Sequence, residues 1–493
     1  MLQIIDPLPG KPLKLSHYAA EARFSSTVRD LRAEAGLIAP KLRGTVWMVN
    51  STAQGGGVAE MLPGVVGLLR ELGIPTKWAV IGADKPEFFA LTKRLHNMLH
   101  GDASGAIDLG PAEAQLLEEV GRRNADELAG QLGPNDVLLV HDPQPVALGA
   151  LLARERGLKA LWRCHIGLDE RTDSTRAAWR FLRPFLQGYH HAAFSAPEYI
   201  PSYLAGKSTI IYPALDPYSH KNRELSVPKI VGILCNAGLQ TAHEPVPTRA
   251  FAQPAKRLCA DGKFRAPGEL GLLFRPIVLQ VSRWDKLKGW KPLVDAFVRL
   301  KAKAGNGEAS KLAPRNRRRL ELCRLVLAGP DPSGVTDDPE GKEVFNELCR
   351  TWLELPPEIQ QDIALLSLPM ASRKENALVV NALQRCASIV VQNSLREGFG
   401  LTVTEAMWKG KAVLGSSAVG IRQQIRDRID GRLVADPSDP EEIASRLFEM
   451  IVSPHQRHRL GRNAQRRVHD EFLVFSQLSR YLRFIARATE EKR

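Results

Sequence analysis

Short apolar runs alternate with amphipathic stretches along most of this 493-residue chain. In the first half, the apolar runs fall at 45–50, 76–81, 136–141, 159–165, 190–195 and 208–212. Between the first two runs, at 58–72, apolar residues recur every three or four positions, which is typical of a helix. An alternation of strands and helices predicts a parallel sheet that is covered by helices on both faces.

The same pattern restarts near residue 276. Five further runs read PIVLQVS, CRLVLAGP, DIALLSLP, ASIVVQNS and KAVLGSS, and each has the length of a buried strand. Helices are expected between them, at about 290–302, 340–353, 375–386 and 402–409. We therefore predict an α/β protein with two doubly wound, Rossmann-like domains.

The two patterns suggest four segments. The first domain is expected at 1–225 and the second at 276–465. Residues 226–275 are rich in Pro, Gly and Ala, and we expect a linker or insertion there, because about fifty residues is long for a plain loop. The terminal segment 466–493 is expected to be a helix that packs back on the body. A polar and basic stretch, 303–320, is expected to be a solvated surface loop.

The charge balance is strongly basic. There are 68 Lys and Arg residues against 54 Asp and Glu residues, which gives a formal net charge of +14. This surplus is compatible with a nucleic acid, an anionic membrane or a small anionic substrate, or with solvated basic loops. A nucleic-acid binder is expected to have a recognisable module or aromatic residues between the basic ones. The stretch 303–320 has neither, so we predict no nucleic-acid partner.

Cysteine spacing and hydropathy restrict the protein class. The six cysteines form no C-x-x-C pair, and no histidine pair has the spacing of a zinc site. The first residues, MLQIIDPLPGKPLKLSHY, lack the basic start and apolar stretch of a signal peptide. No apolar run approaches the roughly 18 residues that cross a bilayer. The sequence predicts a cytoplasmic protein without membrane insertion, disulfide framework or bound metal.

Two segments carry residues that are suited to bind an anion. Gly55, Gly56 and Gly57 follow a predicted strand and precede a helix, where backbone N–H groups can approach a phosphate. A tight turn without a binding role is an equally good interpretation of these glycines. Arg283 and Lys288 follow the first strand of the second domain, and cations at the carboxyl end of a parallel strand can neutralise a diphosphate. Alone, this segment is equally compatible with a surface turn.

A third segment, NSLREGFGLTVTE at 393–405, has Glu397 and Glu405 on either side of a glycine turn. Carboxylates suit sugar hydroxyls because each oxygen accepts hydrogen bonds. Gly398 and Gly400 lie between a strand and a helix, whose free N–H groups can hold phosphate oxygens. Two glutamates at this spacing usually mark a solvated helix face, but the glycine turn favours a binding site.

Together these segments resemble a known family. REGFGLTVTE is similar to the E-x7-E signature of retaining glycosyltransferases with the GT-B fold, and SRWDKLKG is similar to their donor-phosphate segment. NSTAQGGGVAEML, HDPQP, WRCHI, DPYSHKNREL, VNALQR and EGFGLTVTEAMWKG resemble the trehalose glycosyltransferring synthases and the related trehalose phosphorylases. The resemblance spans about 44–225 and 276–485 in unchanged order. It implies two Rossmann-like domains that face a cleft.

The resemblance implies retaining transfer of glucose from a nucleoside-diphosphate-glucose donor to a small sugar acceptor, foremost glucose to give trehalose. It implies catalytic roles for His165, Arg283, Lys288 and Glu397. The residues implied for the donor are Gly56, Gly57, Arg283, Lys288, Glu397, Gly398, Phe399, Gly400, Leu401, Thr402 and Glu405. The residues implied for the acceptor are Asp142, Gln144 and Arg163.

Individual roles also follow from the resemblance. Arg283 and Lys288 would hold the donor's phosphates and stabilise the leaving nucleotide. Glu405 would hold the ribose hydroxyls, Glu397 the transferred hexose, and His165 would face that hexose near the reacting carbon. The family's favoured mechanism is front-side attack, in which the leaving phosphate oxygen takes the acceptor's proton, so we assign no general base. We expect no metal or other cofactor, because cationic side chains and a helix N-terminus can neutralise the diphosphate. Relatives of this branch suggest a homodimer.

Three positions depart from the family pattern. After WRCHI, Gly167 stands where the family usually has an aspartate. The next stretch, LDERTDSTRAAW, lacks the family's Ser-x-Pro-Asn pattern, and AVGIRQQI at 418–425 stands where the family has VGGIPLQ. We interpret the donor half as well kept and the acceptor half as altered. Another acceptor, a trehalose phosphorylase and a non-catalytic nucleotide-sugar-binding relative are therefore the alternatives. The intact donor set argues against the last of these.

Overall fold

The chain forms two compact units. The computed structural model describes residues 1–6, 14–54, 57–101, 108–241, 246, 248–305, 310–334 and 339–489. The first unit comprises Met1–Ala214 and Val474–Arg493, and the second comprises Leu215–Leu473. The C-terminal segment therefore belongs to the same unit as the N-terminal one.

A mainly parallel sheet forms the centre of the first unit. Its strands are β1 (Gln3–Ile5), β2 (Val46–Asn50), β3 (Thr76–Val80), β4 (Val137–His141), β5 (Lys159–Arg163), β6 (His191–Phe194) and β7 (Ser208–Ile210). Their order is β1-β3-β2-β4-β5-β6-β7, and β1 alone pairs antiparallel. Every residue of β2 and β4 is buried, as in strands with helices on both faces. Six of these strands confirm the predicted runs, whereas β1 was missed.

Helices enclose this sheet. They are α1 (Leu15–Ala19), α2 (Ala22–Ile38), α3 (Gly57–Glu71), α4 (Pro86–Leu99), α5 (Pro111–Ala129), α6 (Val146–Arg156), α7 (Asp173–Leu186) and the terminal α18 (Val474–Ala486). The ring of Phe475 on α18 lies 5.1 Å from that of Tyr18 and 5.3 Å from that of Phe24. These edge-on and tilted aromatic contacts attach the terminal helix to α1 and α2.

A second, mainly parallel sheet forms the centre of the second unit. Its strands are β8 (Lys256–Leu258), β9 (Phe264–Arg265), β10 (Ile277–Val281), β11 (Arg324–Pro330), β12 (Ile363–Leu368), β13 (Ile389–Gln392), β14 (Ala412–Ser416) and β15 (Arg432–Val434). Their order is β15-β14-β13-β10-β11-β12-β8-β9. The five predicted strands are confirmed as β10 to β14.

Helices also flank the second sheet. They are α8 (Val227–Asn236), α9 (Trp290–Gly305), α10 (Pro314–Leu322), α11 (Pro339–Leu353), α12 (Pro357–Gln360), α13 (Arg373–Cys386), α14 (Leu401–Trp408), α15 (Val419–Arg422), α16 (Pro440–Val452) and α17 (Pro454–Glu471). The four helices predicted between the strands are α9, α11, α13 and α14. In the part of the chain that the structure describes, no helix is long and apolar enough to span a membrane.

Two segments contain secondary structure that their composition does not predict. The expected linker, 226–275, contains α8 and the hairpin β8-β9, which extends the second sheet by antiparallel pairing with β12. The stretch 303–320 was expected to be a surface loop, and this is wrong for its second half, because α10 begins at Pro314 and buries Leu320. A proline at the first helical position followed by arginines, which are good helix formers, explains the helix.

Strand order reverses once in each parallel sheet. In the first unit, β2 lies between β3 and β4, and in the second, β10 lies between β11 and β13. Ligands of doubly wound proteins bind outside the carboxyl ends of the strands at such a switch point. A ligand site is therefore expected at the loops that follow β2 and β4 in the first unit, and at those that follow β10 and β13 in the second.

Candidate functional site

In the second unit, the loops after β10 and β13 are joined by hydrogen bonds. Gln280, on β10, donates from Nε2 to the carbonyl of Lys288 (2.9 Å) and accepts at Oε1 from the N–H of Asn393 (3.0 Å). The N–H of Leu395 donates to the carbonyl of Leu287 at 2.7 Å. These bonds hold the loop with the predicted cations against the loop with the predicted carboxylates.

Lys288 and Glu397 form an ion pair at this switch point. Lys288 Nζ lies 2.7 Å from Glu397 Oε2, and the side chains are 11% and 14% exposed. The hydroxyl of Ser394 donates to the same carboxylate oxygen at 3.0 Å, and Gln392 Nε2 donates to it at 3.4 Å. The structure thus brings together a predicted cation and a predicted carboxylate in a partly desolvated place, where charge interactions are stronger than in water.

The turn Gly398–Gly400 leads from this pair into α14. Gly400 has φ +82°, in the left-handed region that side-chain-bearing residues avoid. The first N–H groups of a helix have no intrahelical carbonyl partner, and here they belong to Leu401 and Thr402. The helix dipole adds positive potential at the same end. The turn therefore places an anion-attracting helix start beside Lys288.

Gly420 supports this turn from the segment that departs from the family pattern. Its N–H donates to the carbonyl of Glu397 at 3.1 Å, and a Cβ at 420 would lie 2.3 Å from Phe399 Cα. Gln424 Nε2 donates to the carbonyls of Gly420 (2.9 Å) and Phe399. The segment 418–425 has therefore kept the glycine that this close approach requires.

Glu405 lies on α14 and is only 5% exposed. Its Oε1 is 3.5 Å from Lys221 Nζ. Lys409, one turn further along, donates from Nζ to the carbonyl of Glu405 (3.1 Å) and to Oδ1 of Asn222 (3.4 Å). Burial lowers the pKa of Lys409 to about 7, although the negative charge of Glu405 acts in the opposite direction. Glu405 is thus a buried carboxylate, and the exposed ammonium beside it belongs to Lys221.

Arg283 follows the same strand as Lys288 but has a different partner. Its side chain is 67% exposed, and Nη2 lies 3.2 Å from Asp285 Oδ2. Asp285 also accepts from the N–H of Leu287 at 2.8 Å and so caps the short 3-10 helix Lys286–Lys288. The structure therefore places Arg283 on the loop after β10, with an exposed side chain.

In the first unit, two nearly coplanar histidine rings meet edge to edge where β4 and β5 end. The ring centroids of His141 and His165 are 5.3 Å apart with planes at 15°, and His141 Nδ1 lies 3.0 Å from His165 Nε2. Burial lowers the pKa of His141 to about 3 and that of His165 well below its usual value, and the charge of Arg163 adds to both effects. These shifts favour the neutral form of both imidazoles, in which the N–H of one ring can donate to the bare nitrogen of the other.

Asp142 holds the backbone of His165. Its Oδ1 accepts from the N–H of His165 at 2.7 Å, and its own N–H donates to the carbonyl of Arg163 at 2.8 Å. Burial raises the pKa of Asp142 to about 6, although the bond to His165 and the charge of Arg163 lower it. Asp142 has φ +63°, which is uncommon outside glycine and clusters at functional sites.

Arg163 is completely buried. Its guanidinium donates to the carbonyl of Cys164 (2.9 Å), the hydroxyl of Ser195 (3.1 Å) and the carbonyl of Ile211 (2.6 Å). Through these bonds Arg163 joins the ends of β5, β6 and β7, and its expected acceptor contact stays a prediction.

Gln144 lies in the loop after β4, and Gly57 begins the helix that follows β2, at the same edge of the first sheet. Gln144 Oε1 and His141 Nε2 are buried and have no hydrogen-bond partner among the described residues. Such unpartnered buried atoms are rare and are suited to meet a polar ligand. Gly57 begins α3 and is exposed, whereas the predicted Gly56 lies outside the described residues.

Gly167 leaves no room for the aspartate of the family pattern. A Cβ at this position would lie 2.4 Å from Cγ of Tyr199, whose side chain is 2% exposed. The buried tyrosine occupies the space that a side chain at 167 would need. Gly167 and Tyr199 therefore pack too closely for any side chain at position 167 unless Tyr199 moves.

Sequence reasoning missed four residues of these clusters. His141 had a signal, because HDPQP and WRCHI both follow predicted strands, and β4 and β5 pair in parallel with His141 opposite Arg163. Lys221 lies in the family-like segment DPYSHKNREL. Ser394 lies in the segment 393–405 and Gln424 in the segment 418–425, but nothing in the sequence singled out either side chain. Across the described part of the chain, no three His, Cys, Asp or Glu side chains are grouped to hold a metal ion.

Comparison with known proteins identifies the family. Residues 48–201 match the family model "Trehalose synthase, N-terminal domain", and residues 272–467 match "Glycosyl transferases group 1". The two matches cover one parallel-sheet unit each. Their order along the chain agrees with the predicted resemblance.

Whole-chain relatives agree with these matches. The chain is 35% identical over 446 residues to a trehalose synthase of Pyrococcus horikoshii, with 90% of each chain covered. It is 30% identical over 495 residues to a trehalose synthase of Rubrobacter xylanophilus, with 99% of each covered.

Among solved structures, it resembles an alpha,alpha-trehalose-phosphate synthase (UDP-forming) from Burkholderia xenovorans in complex with glucose-6-phosphate. The TM-score is 0.59 at 16% identity, with 90% of this chain and all of the other covered, which shows the GT-B fold. The predicted family and fold are confirmed. The chain belongs to the trehalose synthase family and is a glycosyltransferase of trehalose metabolism.

Proposed function

We propose that this protein transfers glucose from a nucleoside-diphosphate glucose to free glucose, with retention at the anomeric carbon, and so forms trehalose. The observation that carries the proposal is the Lys288–Glu397 pair, which lies beside the start of α14 at the switch point of the second sheet. The identity to trehalose synthases supports the same product. The Burkholderia relative in fold is UDP-forming, which favours a uridine donor.

The second unit is proposed to bind the donor. Lys288 and the first N–H groups of α14 would hold the diphosphate, since a helix start and a fixed cation both favour phosphate oxygens. Arg283 would add a second cation, because an exposed ion pair such as that with Asp285 contributes at most about 1 kcal/mol and is easily exchanged. The buried carboxylate of Glu405 would accept hydrogen bonds from the ribose hydroxyls.

Bond cleavage is proposed to depend on Lys288. Negative charge on the leaving phosphate grows in the transition state, and a preorganised ammonium in a partly dry place stabilises it without reorganisation. Glu397 holds that ammonium at 2.7 Å and would bind hydroxyls of the transferred hexose with its remaining acceptor capacity. The acceptor's proton would pass to the leaving phosphate oxygen, so no general base is assigned. No metal is needed in this proposal, and EDTA should leave the rate unchanged.

The first unit is proposed to bind a neutral sugar. The neutral rings of His141 and His165 can donate to and accept from hydroxyls, and Gln144 offers a buried acceptor. The carboxyl group of Asp142 would repel a phosphate when it is ionised. The guanidinium of Arg163 is already bonded to three protein acceptors. This charge distribution favours glucose over a glucose phosphate as acceptor.

A product assay tests the proposal. The purified chain would be incubated with a panel of nucleoside-diphosphate glucoses and with glucose, glucose phosphates, other sugars or no acceptor, and the products analysed by mass spectrometry and NMR. We expect a disaccharide of two glucoses with α,α linkage, formed only with glucose. Nucleotide release without an acceptor-dependent product would exclude a transferase. A phosphorylated disaccharide would show a different acceptor, and phosphate-dependent cleavage of trehalose would show a phosphorylase.

A further inference from the structure

A cavity of about 380 Å³ opens on the second unit, away from the proposed donor site. Its lining residues Pro276 and Ser388 immediately precede β10 and β13, so the cavity lies at the amino ends of these strands. Lys288 and Glu397 follow the carboxyl ends of the same two strands. The cavity is therefore at the opposite edge of the sheet, and the proposed transfer reaction does not use it.

Five arginines line this cavity: Arg275, Arg315, Arg318, Arg319 and Arg457. Among the described lining residues there is no Asp or Glu. Arg275 pairs with Asp362 (3.2 Å) and Arg318 with Glu321 (3.1 Å) outside the lining. Asp362 is also shared with the ammonium of Lys301 at 2.7 Å. Positive charge in the cavity therefore exceeds the negative charge around it.

The other three arginines form no ion pair with a described carboxylate. Arg457 donates to the carbonyls of Met450 and Ile451, the latter at 2.7 Å, and Arg319 donates to the amide oxygen of Asn316. Burial lowers the pKa of Arg457, and the positive charge of Arg319 lowers it further. Arg315 is exposed and forms no ion pair with a described residue. Neighbouring positive charges repel one another, and an anion that binds between them lowers this repulsion.

One wall of the cavity is apolar. Phe274 is 68% exposed and Leu273 is 46% exposed, and both line the cavity beside the arginines. Exposed large apolar side chains next to convergent cations are typical of a ligand site rather than of a purely solvated surface. Such a wall suits the organic part of an anion and adds little to the binding of an inorganic ion.

We propose that this cavity binds a small phosphomonoester, such as a sugar phosphate or a nucleoside monophosphate. The planar guanidinium groups of Arg315, Arg318 and Arg319 match phosphate oxygens in paired hydrogen bonds. The sugar or base packs against Phe274. The volume falls within the range of small-molecule sites, and Phe274 is the single aromatic among the described lining residues, whereas a nucleic-acid strand requires several aromatic side chains for stacking.

Calorimetry on the full chain tests this site, with glucose 6-phosphate, adenosine monophosphate and inorganic phosphate as probes. We expect both phosphomonoesters to bind, and Arg315→Ala/Arg318→Ala to weaken them by at least about tenfold. Both positions are exposed on α10, where alanine is a good helix former. The matched control is Arg29→Ala/Arg32→Ala on the exposed face of α2, which removes the same charge and should leave affinity unchanged. Equal weakening by both double variants would show non-specific charge attraction and overturn the proposal.

Two further variants separate the possible sources of binding. Phe274→Ala should weaken the phosphomonoesters but not inorganic phosphate, and equal affinity for all three probes in the parent chain would contradict the apolar contact. Lys288→Ala should leave phosphomonoester binding intact. Loss in Lys288→Ala together with retention in the arginine variant would place the ligand in the donor site and overturn the proposal. A single-stranded RNA that displaces both probes at lower concentration would also overturn it.

Discussion

The ammonium of Lys288 lies 2.7 Å from the carboxylate of Glu397, although 109 residues separate them in the chain. The two side chains come from loops that follow β10 and β13, which are neighbours only because the strand order reverses between them. Ser394 holds the same carboxylate oxygen. The pair is therefore fixed by the sheet and its loops, and in the proposed reaction it would be in place before charge develops on a leaving group.

Replacing Lys288 by Met keeps most of the apolar stem and removes the charge. We expect kcat to fall by about 100- to 1000-fold, because a preorganised charge-stabilising group is lost. Lys291→Met is the control, since Lys291 is 60% exposed and pairs with Asp295 on the surface of α9. Steady-state kinetics with circular dichroism of each variant measures this. A kcat for Lys288→Met close to that of the control would remove Lys288 from the mechanism.

Glu405→Ala should weaken nucleotide-sugar binding by about 10- to 100-fold, because hydrogen bonds to a buried charged acceptor are lost. Calorimetric titration of the donor without acceptor measures the effect directly. Glu354→Ala, at an exposed position near the end of α11, serves as the control and should bind as the parent chain does. Unchanged donor affinity in Glu405→Ala would show that this carboxylate does not contact the donor.

The ring of His141 is expected to orient that of His165 through the 3.0 Å contact between Nδ1 and Nε2. His141→Ala should lower kcat by about tenfold, the effect of one lost hydrogen bond of about 1.4 kcal/mol, with little change in donor KM. His141→Asn can retain a polar atom near the position of Nδ1 and should recover part of the loss. If both variants were as active as the parent chain, the contact would have only a packing role.

Stability should depend on pH through Asp142. Because folding raises its pKa to about 6, the folded chain holds this proton more tightly than the unfolded chain. This contribution to stability is complete below about pH 4 and is lost as pH rises through 6. Asp142→Asn removes it and suits a positive φ. The stability of the variant relative to the parent should therefore rise by about 2 kcal/mol between pH 4 and pH 7 in denaturant unfolding. A change of opposite sign would contradict the raised pKa.

Gly167→Ala should destabilise the first unit by about 1 to 3 kcal/mol, because the new Cβ would lie 2.4 Å from the buried ring of Tyr199. Gly64→Ala is the matched control. A Cβ at 64, inside α3, meets no atom within 4 Å, so alanine there should be neutral or slightly stabilising. Urea unfolding of both variants tests this. Equal stability of the two would mean that Tyr199 moves aside, and an aspartate at 167 would then be tolerated.

Much of the fold was predictable because hydrophobic periodicity is local. Each buried run between amphipathic stretches became a strand, and the restart of the pattern near 276 became the second sheet. The glycine turn before α14 was also local, since Gly400 needs a positive φ that few other residues adopt. The short strands β1, β8, β9 and β15 were missed, because strands of two or three residues are stabilised by pairing with a sheet edge rather than by their own composition.

The sequence by itself determined the two-unit α/β architecture, the family, and which cations and carboxylates follow which strands. Only the tertiary structure decided that Lys288 pairs with Glu397 and that Arg163 is buried in protein contacts. It alone showed that Tyr199 occupies the space beside Gly167. The physical reason is that these contacts join residues far apart in the chain. Strand order, register and side-chain packing bring them together, and no local pattern encodes those distances.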